Sequence, residues 1–238
     1  MKSLLKSALN CLHLDVTRNL EYDRYTKEIM KKVLGKNSNC IDVGCHKGEL
    51  LNVILRLAPG GKHYGFEPIP GLYHKLIAKY KGRVTIYPYA LSDTNGVSKF
   101  QFVKNAPAYS GIKKRLYATN EPDIDEISVA VRTLDGIIPE DMVIDFIKID
   151  VEGGEFGVLK GAVSLLKRCR PVVIFESGLG ASDYYGTQPE DVYEFLTRQA
   201  GYNISLLKSF LREDKPLSSD EYLHYYNSRT EYYFIAHR

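Results

Sequence analysis

Cys40-Ile41-Asp42-Val43-Gly44-Cys45-His46-Lys47-Gly48-Glu49 is the stretch on which the fold turns. A short apolar run ends at two glycines. Leu50, Leu51, Ile54, Leu55 and Ala58 then recur at helical spacing until Pro59-Gly60-Gly61 breaks the pattern. That is a strand, a turn and a helix. Downstream the unit repeats: His63 to Phe66 reads as a strand, Gly71 to Tyr80 as a helix carrying Leu72 and Leu76, and Val84 to Tyr87 as a third strand. Further on, Ile144 to Ile149 is an apolar strand, Phe156, Leu159, Val163 and Leu166 stripe a helix, and Val172 to Phe175 follows as a strand. Short apolar strands alternating with helices predict an α/β fold, a parallel sheet with helices on both faces.

Upstream, Tyr22, Tyr25, Ile29 and Val33 fall at helical spacing and Gly35 ends the run, which predicts an N-terminal helix of about four turns. Between Asp93 and Met142 the alternation breaks. Phe100 and Phe102, then Val129, Val131 and Thr133, show period two, predicting an inserted antiparallel excursion around a polar loop with Tyr109, Ser110 and Gly111. After Glu176 come a Gly/Ser loop, a helix opened by Pro189, Glu190 and Asp191, and two late strands near Ile204 to Leu207 and Tyr232 to Ala236. The chain reads as one domain, 1–238, with 1–37 as a helical extension and 94–142 as the insertion.

The 238 residues are 44% hydrophobic and 26% charged, a globular composition that excludes wholesale disorder and low-complexity scaffolds. A net charge of +3 with no clustered patch gives no reason to expect a nucleic-acid partner. No window approaches the roughly 18 uncharged apolar residues of a membrane span. Met1 to His13 reads as an amphipathic start interrupted by Lys2 and Lys6, without a cleavage site, which leaves weak peripheral membrane contact open. Cys11, Cys40, Cys45 and Cys169 show no CxxC spacing, so a reduced, cytoplasmic protein is expected.

The turn puts Gly44 and Gly48 at the carboxyl end of a strand, where open α/β sheets bind ligands. A dinucleotide fingerprint would need GxGxxG, but counting from Gly44 the later glycine positions hold His46 and Glu49. Pyrophosphate cannot approach past the His46 side chain, so NAD(P) is disfavoured. What remains is an acidic residue, Asp42, before the glycines, and then Gly65-Phe66-Glu67-Pro68 at the next strand end. A carboxylate there can accept both hydroxyls of a ribose; the plainer reading is a solvated strand-end residue. Phe146-Ile147-Lys148-Ile149-Asp150-Val151-Glu152-Gly153-Gly154-Glu155 places Asp150 at the end of a central strand. Carboxylates at a helix start are also favoured by the macrodipole, which suits Glu155 better than Asp150.

With these elements in place the chain resembles the FkbM-type family of S-adenosylmethionine-dependent methyltransferases over roughly residues 38 to 178. The resemblance runs through Ile41-Asp42-Val43-Gly44 with Gly48, Phe66-Glu67-Pro68, Ala90-Leu91-Ser92-Asp93, Thr133-Leu134-Asp135, and the Phe146 to Gly153 run with Glu155. It implies the seven-stranded, Rossmann-like methyltransferase fold with a reversed last strand, and methylation of oxygen on sugars or secondary metabolites. It further implies that Gly44 and Gly48 shape the loop around the methionine part and that Glu67 holds the ribose. Ser92 and Asp93 would lie near the adenine, and Asp42 and Pro68 join the cofactor-binding set through their motifs. Cys45-His46-Lys47 departs from the small and hydrophobic residues usual there, which makes His46 a candidate contact.

An alcohol is a poor nucleophile until its proton is being removed, so O-methylation asks for a base or a metal. The candidates are Asp150, Glu152 and Glu176, with His46 as a further one. Glu176 ends the Val172 to Phe175 strand and could stand beside Asp150, where catechol-type O-methyltransferases place metal-binding acids. Ser177 and Gly153 break the companion features, so Mg2+ is admitted but not favoured. The Asn/Asp-Pro-Pro-Tyr signature of adenine N-methyltransferases is absent. Nine of the 18 tyrosines lie between Tyr184 and Tyr233, and Tyr184, Tyr185 and the Tyr109 loop are candidate substrate contacts. The reading is an S-adenosylmethionine-dependent O-methyltransferase acting on a glycan or small-molecule hydroxyl. The alternatives are an N-methyltransferase on a small amine and a non-catalytic binding protein of the same fold, the latter opposed by the intact Glu67 and glycine turn.

Overall fold

The computed structural model describes residues 18–117 and 121–238; the amphipathic start at 1–13 and Cys11 lie outside them. Helix α1 (Arg18–Val33) comes first, followed by β1 (Cys40–Val43), α2 (Glu49–Leu57), β2 (His63–Phe66), α3 (Pro70–Tyr80) and β3 (Thr85–Tyr87). A second group holds β4 (Tyr89–Leu91), β5 (Gly96–Val103) and β6 (Ile124–Arg132). Then come α4 (Leu134–Ile137), β7 (Phe146–Ile149), α5 (Glu155–Lys160), α6 (Val163–Cys169) and β8 (Val172–Glu176). The chain closes with α7 (Pro189–Glu194), which runs on through a π-helical turn at Phe195–Gln199, then β9 (Asn203–Leu206), α8 (Leu207–Arg212), α9 (Ser219–Ser228) and β10 (Tyr233–His237).

Seven strands form the main sheet in the order β3-β2-β1-β7-β8-β10-β9. All pairs are parallel except those of β10, which runs antiparallel to both β8 and β9. This is the class I methyltransferase sheet, reversed strand included. Alternation along each strand sorts the core into two layers. Cys40, Phe146, Ile174 and Ile235 pack with Ile29, Met30, Leu51 and Ile54 under α1 and α2. Ile41, Ile147, Val173 and Phe234 pack with Val158, Leu159, Leu166 and Leu196 on the opposite face. Each fully buried side chain of this size contributes about 1.5–3 kcal/mol.

The insertion is the expected antiparallel excursion, joined by a strand from outside it. β5 and β6 pair antiparallel, with Phe100 opposite Ile127. β4, however, pairs with β6 in parallel, so the small sheet is mixed. Pro88 is the single residue between β3 and β4. It has no N–H to extend the first ladder, and the chain passes there from one sheet to the other. Helix α9 is a second addition. Its polar, tyrosine-rich sequence carries no clear apolar stripe, but a capping box is present: Ser218 accepts the Glu221 N–H and Glu221 accepts the Ser218 N–H.

The tightest junction is at the end of β1. Val43 accepts the Asp150 N–H at 3.1 Å, while the Gly44 and Cys45 N–H groups both donate to the Phe66 carbonyl, at 3.0 and 3.1 Å. Gly44 has φ of +79°, and a Cβ on it would lie 1.9 Å from the Asp150 carbonyl oxygen. Gly44→Ala should therefore combine a left-handed backbone penalty with a backbone clash and cost at least about 1–3 kcal/mol. Urea unfolding measures this, and an unchanged transition midpoint would contradict the close approach.

Candidate functional site

Three crevices meet where β1, β2, β7 and β8 end. The first is a narrow apolar slot lined by Glu67, Pro68, Ile69, Ala90, Leu91 and Phe100, and capped by Ile112 and Tyr185. The second, about 800 Å³, lies between α1 and the glycine turn, with Asp23, Thr26 and Lys27 facing Asp42, His46 and Lys47. The third, about 620 Å³, brings Asp150, Glu152 and Glu176 together with Tyr22, Tyr109, Tyr232 and Tyr233. Gly44 and His46 line both the first and the second, and Lys148 lines both the second and the third.

Glu67 ties two loops together. One carboxylate oxygen accepts the His46 N–H at 2.8 Å and the other the Ile69 N–H at 2.9 Å. The side chain is buried, and burial pushes its pKa up to about 7 despite those bonds. A carboxylate offers about four acceptor positions, so two remain for a ligand diol. His46 adopts φ of +46°, a left-handed backbone at a position where glycine would sit without strain. Its Nε2 is buried without a partner, and burial lowers its pKa, so a neutral imidazole borders the slot. Gly48 begins α2 with φ of +71°, and a Cβ there would strike the Tyr80 hydroxyl, which donates to the Gly48 carbonyl at 2.6 Å.

The charges of the third crevice are ordered by the sheet. Asp42 and Lys148 are direct register partners on β1 and β7, on the face beneath α1. Asp150 follows Lys148 by two residues and so shares its face. Lys148 Nζ stands 2.6 Å from Asp150 Oδ2, and the Tyr233 hydroxyl donates to the same oxygen at 2.6 Å. Burial works against the Asp150 charge, but Lys148 and the two hydrogen bonds hold its pKa below the usual carboxylate range. Burial raises Asp42 to about 7. Glu176 is raised to about 8, by burial first and then by the charges of Asp150 and Glu155. Glu152, at φ of +61°, forms an ion pair with Arg115. Glu155 is buried and accepts the Val151 and Gly153 N–H groups, which fixes the turn into α5.

The expected site residues separate into two groups. Asp42, Gly44, His46, Glu67, Pro68, Asp150, Glu152 and Glu176 line the crevices. Gly48 supports the turn from behind. Ser92 and Asp93 lie against α5 instead: Asp93 pairs with Lys160 at 2.5 Å, and Ser92 packs on Gly157 and Gly161. Tyr89, Ala90 and Leu91 line the slot in their place. Tyr185 reaches the slot and its hydroxyl accepts the Lys113 N–H, whereas Tyr184 is exposed and lines none of the three crevices. Lys148, Arg115 and Tyr233 are additions. A lysine inside the apolar run Phe146 to Ile149 was a readable signal; Tyr233 carried none. Among the described residues no group of three His, Cys, Asp or Glu side chains is arranged to hold a metal ion.

The sequence profile of the Methyltransferase FkbM domain matches residues 42–204. The AMB antimetabolite synthetase AmbE of Pseudomonas aeruginosa is 25% identical over 244 residues, which span 85% of this chain and 11% of that protein. The crystal structure of methyltransferase FkbM from Methylobacillus flagellatus KT superposes with a TM-score of 0.53 at 17% identity, covering 86% of this chain and 44% of that one. The chain thus spans about a tenth of the length of the first and under half of the second.

Two outcomes follow from the buried carboxyls. In Glu67→Gln the amide nitrogen must oppose one of two N–H donors, so the variant should lose about 1–3 kcal/mol of stability. Equal unfolding midpoints would exclude the double tie. Asp42, Glu67 and Glu155 are each raised to about 7 by burial, whereas unfolded carboxyls titrate near 4. Across that window the folded chain binds more protons than the unfolded one, so stability falls as pH rises from about 4 to 7. Asp150 acts in the opposite sense, but its stabilisation is lost only as pH falls below about 4. His46, His63 and His237, lowered by burial, also oppose the trend up to about pH 6.5, and the four raised carboxyls, Glu176 included, outweigh them. Ligand-free protein should melt at a higher temperature at about pH 5 than at about pH 7.5. A midpoint that climbs across this range would refute the inference.

Proposed function

The chain belongs to the FkbM-domain methyltransferases, and on that premise we propose that it moves the methyl group of S-adenosylmethionine to a hydroxyl of a glycan or another small polar molecule. The observation that carries the reading is the meeting of three chemically distinct crevices around Gly44 and Asp150.

Their donor sets fit the parts of the methyl donor. The slot offers apolar walls at Ile69, Leu91 and Phe100 for a flat base, with the Glu67 carboxylate available to a ribose diol. The second crevice sets Asp23 and Asp42 against Lys27 and Lys47, a mixed charge suited to a zwitterionic amino-acid end. Side chains at Gly44 or Gly48 would meet the Asp150 backbone or Tyr80, so the turn keeps the backbone close to both crevices. When bound, S-adenosylmethionine supplies an electrophilic methyl group: the acceptor oxygen forms the new O–C bond as the C–S bond breaks and its electron pair stays on sulfur.

The third crevice would receive the acceptor. Its tyrosine faces suit the apolar face of a sugar ring, and its carboxylates accept hydroxyl hydrogen bonds. Holding donor and acceptor in line at contact distance removes much of the entropic part of the barrier. An acceptor amine would use the same acids, so the methylated atom is the point to measure.

Calorimetry with S-adenosylhomocysteine and with NADH tests the cofactor, and labelled S-adenosylmethionine with a panel of methyl glycosides tests the acceptor. We expect S-adenosylhomocysteine to bind, NADH not to bind, and mass spectrometry to locate the methyl group on oxygen. Binding of NADH alone would overturn the cofactor assignment, and methylation of amines alone would replace the hydroxyl.

A further inference from the structure

Resting on that reading, we infer that Glu176 is the group that takes the acceptor's proton, while Asp150 stays an anion that Lys148 and Tyr233 hold in place. The two carboxylates share one crevice but not one environment. A single oxygen of Asp150 receives both the Lys148 ammonium and the Tyr233 hydroxyl, each at 2.6 Å. Lys148 also lies 5.0 Å from the centre of the Tyr233 ring, so the three groups lock one another. An anion stabilised by two donors is a poor proton acceptor.

Glu176 has the opposite surroundings. It ends β8, is half-buried, and lines the third crevice. Among the described residues its carboxyl has no hydrogen-bond or ion-pair partner. Tyr233 is its cross-strand neighbour on β10, yet the Tyr233 hydroxyl is spent on Asp150. The charges that reach Glu176 are Asp150 and Lys148 from β7, Glu155 from α5 and Arg115 from the insertion. Both cations already have closer acids, Lys148 at Asp150 and Arg115 at Glu152. Burial and the two neighbouring acids therefore prevail, and the carboxyl exchanges its proton near neutral pH. Two carboxyls whose environments push them apart in this way mark a division between proton carrier and fixed charge.

The other candidates are less well placed. Glu152 is engaged by Arg115, and Glu155 is committed to the backbone of its own turn. His46 lines the first two crevices and not the third. In the step assigned to Glu176, the hydroxyl proton passes to its carboxylate as the oxygen gains the methyl group. The resulting carboxylic acid then returns the proton to solvent, so one proton is released for each methyl ether formed. Lys148 is a positioning residue: it keeps Asp150 charged and does not itself meet the proton.

The full chain labelled with 13C at its glutamate carboxyls provides a readout independent of turnover. One resonance should titrate near 8, above those of Glu67 and Glu155 and well apart from the exposed glutamates, and disappear in Glu176→Gln. Should that variant fail to fold, Glu176→Asp should shift the same resonance. With a glycoside accepted in the panel above, wild-type kcat should rise with pH through the same range. Glu176→Gln should lower kcat about 100-fold or more and remove this limb, with affinity for S-adenosylhomocysteine within about threefold. Asp150→Asn should be slower and keep the limb, moved to lower pH because the neighbouring charge that raises Glu176 is gone. A Glu176 carboxyl that titrates with the exposed glutamates, or a limb lost in Asp150→Asn and kept in Glu176→Gln, would overturn the assignment. If S-adenosylhomocysteine binds but no glycoside is methylated, the hydroxyl-acceptor reading fails, while the titration decides separately whether Glu176 is the free carboxyl.

Discussion

The parallel pairing of β1 with β7 is the contact on which the functional edge of this molecule depends. It joins two segments about a hundred residues apart in the chain and sets Asp42 beside Lys148 and Val43 beside Ile149. The strands then part, and the last hydrogen bond between them runs from the Asp150 N–H to the Val43 carbonyl. Gly44 fills the gap with no side chain because the Asp150 carbonyl occupies the space where a Cβ would stand. A crevice opens at that parting, as is general where neighbouring strands of an α/β sheet send their chains to opposite faces. The apolar slot, the crevice beneath α1 and the acidic crevice all border this point.

Electrostatics at the same point are a compromise between burial and pairing. Lys148 faces inward from a central strand, and burial disfavours its charge, but the Asp150 charge prevails and holds its pKa above the ordinary lysine value. Removing either partner would leave a buried charge uncompensated, which is far more costly than the net worth of an intact pair. The network therefore fixes the protonation of Asp150 and leaves Glu176 unmatched. A structural salt bridge and a carboxyl outside it thus share one crevice.

The crevice walls come from parts of the chain that do not belong to the repeating strand and helix units. Ile112 and Arg115 arrive from the insertion, Tyr185 from the loop after β8, and Tyr22 and Asp23 from α1. Tyr22 donates to Glu231 at 2.5 Å, and Glu231 also pairs with Lys208 at 2.6 Å, which fastens α1 to the chain leading into β10. Phe100, Ile112 and Tyr185 close over the first crevice, whereas Tyr22, Arg115, Tyr232 and Tyr233 shape the third.

The sequence alone determined the parallel core, the glycine turn, Asp42 just before it, and the placing of Glu67, Asp150 and Glu176 at strand ends. Apolar periodicity and glycine punctuation are local properties, and strand polarity follows from the alternation with helices. The sequence also contained two signals that local periodicity passes over, the capping box at Ser218 and Glu221 and the lysine inside the β7 run. Tertiary structure alone decided which carboxyl is held and which is free. Tyr233 reaches Asp150 because β10 inserts antiparallel between β8 and β9, a pairing between strands nearly sixty residues apart for which no local pattern exists. The distance of Ser92 and Asp93 from the slot has the same origin. Pro88 diverts the chain into a second sheet, and the mixed pairing of that sheet sets both residues against α5. Proton affinity depends on the neighbours gathered from distant strands, and those neighbours exist only once the sheet has closed.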